Sequence, residues 1–205
     1  KKAIAAQPDL EIKNGADSAY VGDDIYNSDG EGQSRAQVVT PSNPAVYNVR
    51  LTNDGNAGSQ FLILPPTGGA GWTLQYFDAL VGGNDITSEV FRSGWTTSLL
   101  APGSSLQFRV EVRPDPAVAG NASKVLDISA QSKDPSALSD TVRASTSKAP
   151  TAQPDALIAL GGDTTYTGNG VYNTDGTGQS AQSVVDEGTI ASYDLEFQND
   201  GDSPD

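Results

Sequence analysis

Apolar and polar residues alternate from Ala45 to Thr52, with Tyr47, Val49 and Leu51 set against Val46, Asn48, Arg50 and Thr52. Successive strand residues point to opposite faces, so the pattern predicts a half-buried strand. Asn53-Asp54-Gly55-Asn56 supplies the turn after it, and Gln60 to Leu64 reads as a short strand stopped by Pro65-Pro66. Trp72 to Phe77 alternates with Trp72, Leu74 and Tyr76 on one face. Leu106 to Val112 places Leu106, Phe108, Val110 and Val112 opposite Arg109, Glu111 and Arg113. Lys124 to Ala130 and Asp140 to Ala144 complete the series, and no stretch carries a helical period. Short strands separated by turn signals predict an all-β fold of immunoglobulin-like antiparallel β-sandwich repeats.

The plural comes from an internal repeat. Ala6-Gln7-Pro8-Asp9 returns as Ala152-Gln153-Pro154-Asp155, Ile25 to Ser34 as Val171 to Ser180, and Asn53-Asp54-Gly55 as Asn199-Asp200-Gly201. The spacing is constant and needs no gap: 152 − 6, 172 − 26 and 200 − 54 are all 146. The expected organisation is a complete sandwich repeat with an N-terminal extension in 1–144, a Ser/Thr/Pro linker in 145–151, and the first part of a second copy in 152–205. An incomplete second copy has three readings: a piece of a longer array, a half-unit completed by strands from another molecule, or a disordered segment.

Residues Val46 to Ala144 resemble the immunoglobulin-like (CARDB-like) repeat modules of bacterial and archaeal surface and secreted proteins. The resemblance rests on Asn53 to Asn56 after the first core strand, then Gly71-Trp72-Thr73-Leu74, and then Leu100-Ala101-Pro102-Gly103 leading into Leu106 to Pro114. Ala119-Gly120 and a last strand pair ending Asp140-Thr141-Val142 finish it. It implies a sandwich fold outside the cell. It implies no single function, because such modules serve as spacers, adhesins and enzyme appendages. Asp9 to Val39 falls outside the pattern.

Composition narrows the chemistry. The net charge is -14, which repels nucleic-acid phosphates and anionic membrane surfaces, so neither nucleic-acid binding nor membrane insertion is expected. Acidity suits solubility or divalent cations as partners. The absence of Cys and His removes disulfides, zinc–thiolate sites, the usual neutral-pH base and the Ser-His-Asp triad, so no enzyme activity is expected. Met is absent too, so Lys1 is not an initiator residue, and a processed chain or a piece of a longer one is expected.

The most distinctive loop, Tyr26 to Gln33, has oxygen-bearing side chains at alternate positions and interleaved glycines, as a Ca²⁺ loop requires. Its candidate ligands are Asp24, Asn27, Asp29 and Glu31, with Asp23 beside them and Asn173 and Asp175 in the second copy. The EF-hand spacing fails: with Gly30 central, the first ligand position would be Ile25 and the last Ala36. The second copy also replaces Asp23, Asp24 and Glu31 by Asn169, Gly170 and Thr177. A hydrogen-bonded Asx turn with glycines at positive φ explains the same residues, and is the favoured reading. Trp72, Trp95, Tyr76, Tyr26 and Tyr47 are either core residues or a platform for glycans. Leu64-Pro65-Pro66-Thr67-Gly68 has the L-P-x-T-G sortase pattern but no apolar tail, and reads as a Pro-rich turn. Asn121-Ala122-Ser123 has the N-glycosylation pattern.

The expected function is a structural repeat of an extracellular or cell-surface stalk, fibre or filament, whose partners are other copies of the repeat in the same chain or in neighbouring subunits. The alternatives are a glycan- or surface-binding module and an accessory domain of a secreted hydrolase. No cofactor is expected, and Ca²⁺ is the one candidate, as the alternative to the turn reading.

Overall fold

Eleven strands and one short helix build the chain, in a computed structural model that describes residues 5–67 and 69–202. The strands are β1 (Pro8–Asn14), β2 (Ser34–Val39), β3 (Ala45–Asn53), β4 (Phe61–Ile63), β5 (Trp72–Phe77), β6 (Trp95–Thr96), β7 (Ser105–Pro114), β8 (Ser123–Ser132), β9 (Ser139–Lys148), β10 (Pro154–Leu160) and β11 (Tyr193–Asn199). Helix α1 spans Thr87–Ser93. Two units divide the chain after Ala149.

The first unit is a sandwich of a four-stranded sheet, ordered β1-β3-β7-β5, and a five-stranded sheet, ordered β2-β9-β8-β4-β6. These orders match the A-B-E-D and G-F-C arrangement of the immunoglobulin fold, with β2 added beside the last strand and β6 beside β4. The connection differs, since the edge strand β5 precedes β6 in the chain. The core lies between the sheets. Tyr47, Val49 and Leu51 of β3, Phe108, Val110 and Val112 of β7, and Phe61, Ile63, Ile128 and Val142 opposite them are buried, as the alternation requires. The Tyr47 hydroxyl bridges the layers, donating to the Ser145 carbonyl at 2.6 Å and lying 2.9 Å from Thr146 Oγ1.

Four features depart from the expected outline. The residues read as an N-terminal extension belong to the sandwich: β1 pairs with β3 over its whole length, and Leu10 and Ile12 are core residues. The sheets are not purely antiparallel, because β2 pairs with β9 in parallel, Ser34 with Arg143 through Val39 with Lys148. Ser145 to Lys148, read as linker, are the last residues of β9; polar side chains disguised them, yet Thr146 and Lys148 are buried. Lys148 Nζ donates to the carbonyls of Pro116 and Val118, which satisfies its ammonium. Helix α1 is too short to show a period; Ile86 and Val90 anchor it to the core and Phe91 meets Tyr76 edge-on, with centroids 6.4 Å apart.

The start of β1 is also tied to the β8–β9 connection. Asp134 accepts hydrogen bonds from Ser136, from the Ala6 amide at 2.6 Å and from Ser132 Oγ at 2.9 Å. These donors hold its carboxyl down at about 2, the Ser136 side chain contributing most. A depressed folded-state value means that the stabilisation is full above the ordinary 3.8 and is lost as pH falls through about 2. The stability difference between wild type and Asp134→Asn should therefore shrink between pH 5 and pH 2 in urea titrations.

In the second unit β10 pairs with β11, Pro154 with Asn199 through Leu160 with Tyr193. Each pair is the β1–β3 pair displaced by 146 positions, Pro8 with Asn53 through Asn14 with Tyr47 (154 − 8 and 199 − 53 are both 146). The isolated bridge Ile12–Val21 recurs as Ile158–Thr167. Residues 180–185, the counterparts of β2, are not a strand. Leu195 and Phe197 are 63% and 76% exposed where Val49 and Leu51 are fully buried, because no second sheet covers them among the described residues.

Candidate functional site

The Tyr26–Gln33 loop closes on its own backbone. Asn27 Oδ1 accepts from the amides of Asp29 and Gly30, Asn27 Nδ2 donates to the Glu31 carbonyl, and Asp29 Oδ1 accepts from the Glu31 amide. Asn173 and Asp175 make the corresponding bonds with Gly176 and Thr177. Asn27, Asp29, Asn173 and Asp175 thus serve an Asx turn in both units. The Glu31 side chain is exposed, and Asp24 lies apart from the turn against the Tyr26 hydroxyl, 3.0 Å away.

Gly30 and Gly176 sit at φ +72 and +73, the left-handed region. A Cβ on Gly30 would lie 2.8 Å from Arg143 Cβ, whereas one on Gly176 would meet nothing within 4 Å. Gly176→Ala should cost about 1 kcal/mol from backbone strain alone, and Gly30→Ala about 2–3 kcal/mol because β9 must also shift. Denaturant titrations of the two variants check this; equal losses would mean that the loop does not press on β9.

What seats the loop is Asp140 on β9, which is fully buried. Its Oδ2 accepts from the Leu10 amide at 2.6 Å, and its Oδ1 from the Asn27 amide at 3.1 Å, Gln33 Nε2 at 2.9 Å and its neighbour Thr141 at 2.8 Å. Burial pushes its carboxyl up, and the amide donors pull it back. One carboxylate therefore joins β1, the loop and β9. In the sequence it is an ordinary strand residue; its partner Gln33 recurs as Gln179, which donates to the Ala156 and Val171 carbonyls instead.

A second acidic group lies on the outer face of β1. Asp9 and Glu11 are buried there, although they alternate with core residues, because the segment after β1 folds over them. Arg50 grips both oxygens of Glu11, through Nε at 2.6 Å and through Nη2, and its guanidinium stacks 4.8 Å from the Tyr20 ring centroid. Asp9 Oδ2 takes only a long 3.4 Å bond from the Asp24 amide, and Asp9 Oδ1 has no partner. Burial, and then the nearby charges of Asp54, Glu11 and Asp140, raise the Asp9 carboxyl to about 7. The Tyr26 hydroxyl spans Asp24 and Asp54, donating to Asp54 at 2.9 Å, and its own acidity is suppressed, first by partial desolvation of the hydroxyl on an otherwise exposed ring and then by both carboxylates. The second unit retains part of this: Asp155 accepts from the Gly170 amide at 2.8 Å and leaves Oδ1 unpartnered, while Tyr172 donates to Asp200.

Of the aromatics considered for a glycan platform, Tyr47 and Tyr76 are buried, and only Tyr26 is exposed. Trp72 and Trp95 belong to different sheets and pack against the core, Trp95 edge-on to Phe108 at 6.1 Å. Asn121 is exposed in the turn before β8, at φ 64. The sortase-like pattern ends at Gly68, outside the described residues. No helix among the described residues is long and apolar enough to cross a membrane.

No family model and no curated protein matches the chain. Among solved structures it is similar to the N-terminal domain of PorA, at 11% identity and TM-score 0.37, over 68% of this chain and 96% of that one. It is also similar to the Vibrio cholerae VesB protease, at 12% identity and TM-score 0.33, over 56% of this chain and 30% of that one.

Proposed function

We propose that the chain is a load-bearing repeat segment of an extracellular or cell-surface stalk, fibre or filament, and that it has no catalytic role. The observation that carries this reading is the parallel β2–β9 pair and its place between the ends of the first unit. Strand β1 begins beside the end of β3, Pro8 against Asn53. Strand β9 ends beside the end of β2, Val39 against Lys148, and residues 40–44 lead from there directly to the start of β3. The unit's two ends therefore leave from opposite poles. Tension between them pulls β9 along the strand axis against β2 and loads the ladder in shear, so that its bonds break together rather than one by one. The Leu10–Asp140 bond ties β1 to the same strand. The second copy repeats the β1–β3 pair of this unit at a constant spacing, as a tandem array of load-bearing units requires.

Stretching tandem copies of the first unit tests this. Each unit should open in one abrupt event that releases about 500 Å of chain, at about 3.4 Å per residue. Arg35→Pro, which puts a residue without an N–H into β2, should lower the opening force markedly. Gradual extension without discrete events would remove the reading. Assembly by strand exchange is its finer form, supported by the exposed apolar face of β11. Light scattering on residues 1–205 should then give a mass that grows with concentration; a constant monomer mass would leave the repeat reading standing and remove the exchange.

A further inference from the structure

We propose that Asp9, Glu11 and Asp23 form a binding site for one Ca²⁺ ion on the outer face of β1. Each offers a carboxylate oxygen, and these atoms lie within 4.8 Å of one another. Two oxygens on a common Ca²⁺ at 2.3–2.6 Å stand at most about 5 Å apart, so each pair of the three is close enough to share one ion. Mg²⁺, at 2.0–2.1 Å, demands a tighter set. With no His or Cys in the chain, the donors are all hard oxygens, which suits Ca²⁺ rather than a transition metal.

Acidic clusters are common without an ion; the second observation is Asp9 itself. The residue is 1% exposed and its Oδ1 has no hydrogen-bond donor, whereas buried polar atoms normally have one. Charge points the same way. Asp9, Glu11, Asp23, Asp24 and Asp54 gather here, and among the described residues the cation that answers them is Arg50, already spent on Glu11. Lys13 is turned to the Asp17 carbonyl. A carboxylate that accepts a bidentate Arg keeps lone pairs for an ion on its other side.

The second unit keeps the buried Asp155 but has Leu157, Asn169 and Glu196 where the first has Glu11, Asp23 and Arg50. The triad is therefore particular to the first unit, and one ion per chain is expected.

The test is calorimetric titration of CaCl₂ into the chelator-treated 205-residue chain, paired with melting curves. Binding of one ion and a raised melting temperature are expected, with MgCl₂ binding at least tenfold more weakly. Asp23→Asn, at an exposed position, should fold normally and weaken binding at least tenfold, and Asp9→Asn should do the same. Asp29→Asn and Asp155→Asn should bind as wild type does. No Ca²⁺ heat in the wild type, or undiminished binding in both Asp23→Asn and Asp9→Asn, would overturn the assignment.

Discussion

Asp140→Ala lowers the unfolding free energy of the first unit by about 3–4 kcal/mol in denaturant titrations, more than a typical point substitution. The side chain is fully buried and receives donors from Leu10, Asn27, Gln33 and Thr141. Removing it leaves those N–H groups buried without acceptors, and each such group costs about 1–3 kcal/mol unless water reaches it. The loss should spread along the chain, since β1 and the 26–33 loop are both held by this carboxylate. Hydrogen exchange should show the Leu10 and Asn27 amides opening first. Asp140→Asn keeps an acceptor and should lose less. A loss below about 1 kcal/mol in the alanine variant would show that water takes over the donors and that β1 is held by its ladder with β3 alone.

Phe108→Ala should cost about 3–5 kcal/mol, the usual range for deleting a buried aromatic ring. Phe108 sits fully buried in the middle of β7, between the sheets. Its ring packs edge-on against Trp95 at 6.1 Å, and Trp95 belongs to the two-residue strand β6. The tryptophan thus reports on the cavity: its emission should shift to longer wavelength as water enters, before the global transition. Phe108→Leu refills most of the space and should recover more than half of the loss. Unchanged Trp95 emission would mean that β6 is held by its pairing with β4 instead.

The core of the first unit was legible where alternation was strict. Tyr47, Val49 and Leu51, and Phe108, Val110 and Val112, lie on the buried faces their spacing indicates. On β1 Asp9, Glu11 and Lys13 do alternate with Leu10 and Ile12, but the pattern does not show that the polar face is covered: Asp9 and Glu11 are buried as well as Leu10 and Ile12. The cause is long-range, because the covering segment and Arg50 come from elsewhere in the chain. Likewise Thr146 and Lys148 read as linker residues because their burial depends on Tyr47 and on the carbonyls of Pro116 and Val118. The 26–33 turn was legible from its Asn, Asp and Gly spacing, since an Asx turn is a local contact. The acidic group on β1 was not, because Asp9, Glu11 and Asp23 come together only when the chain folds back.

The most direct test of load bearing is to pull the first unit in two directions. Handles at Lys1 and Ala149 shear β2 against β9. Handles at Ser42 and Ala149 lie near the same end of that pair, Val39 against Lys148, and peel it open one bond at a time. A several-fold higher opening force in the first geometry is the predicted result. Equal forces in both would contradict a load-bearing β2–β9 pair and, with it, the mechanical reading of the repeat.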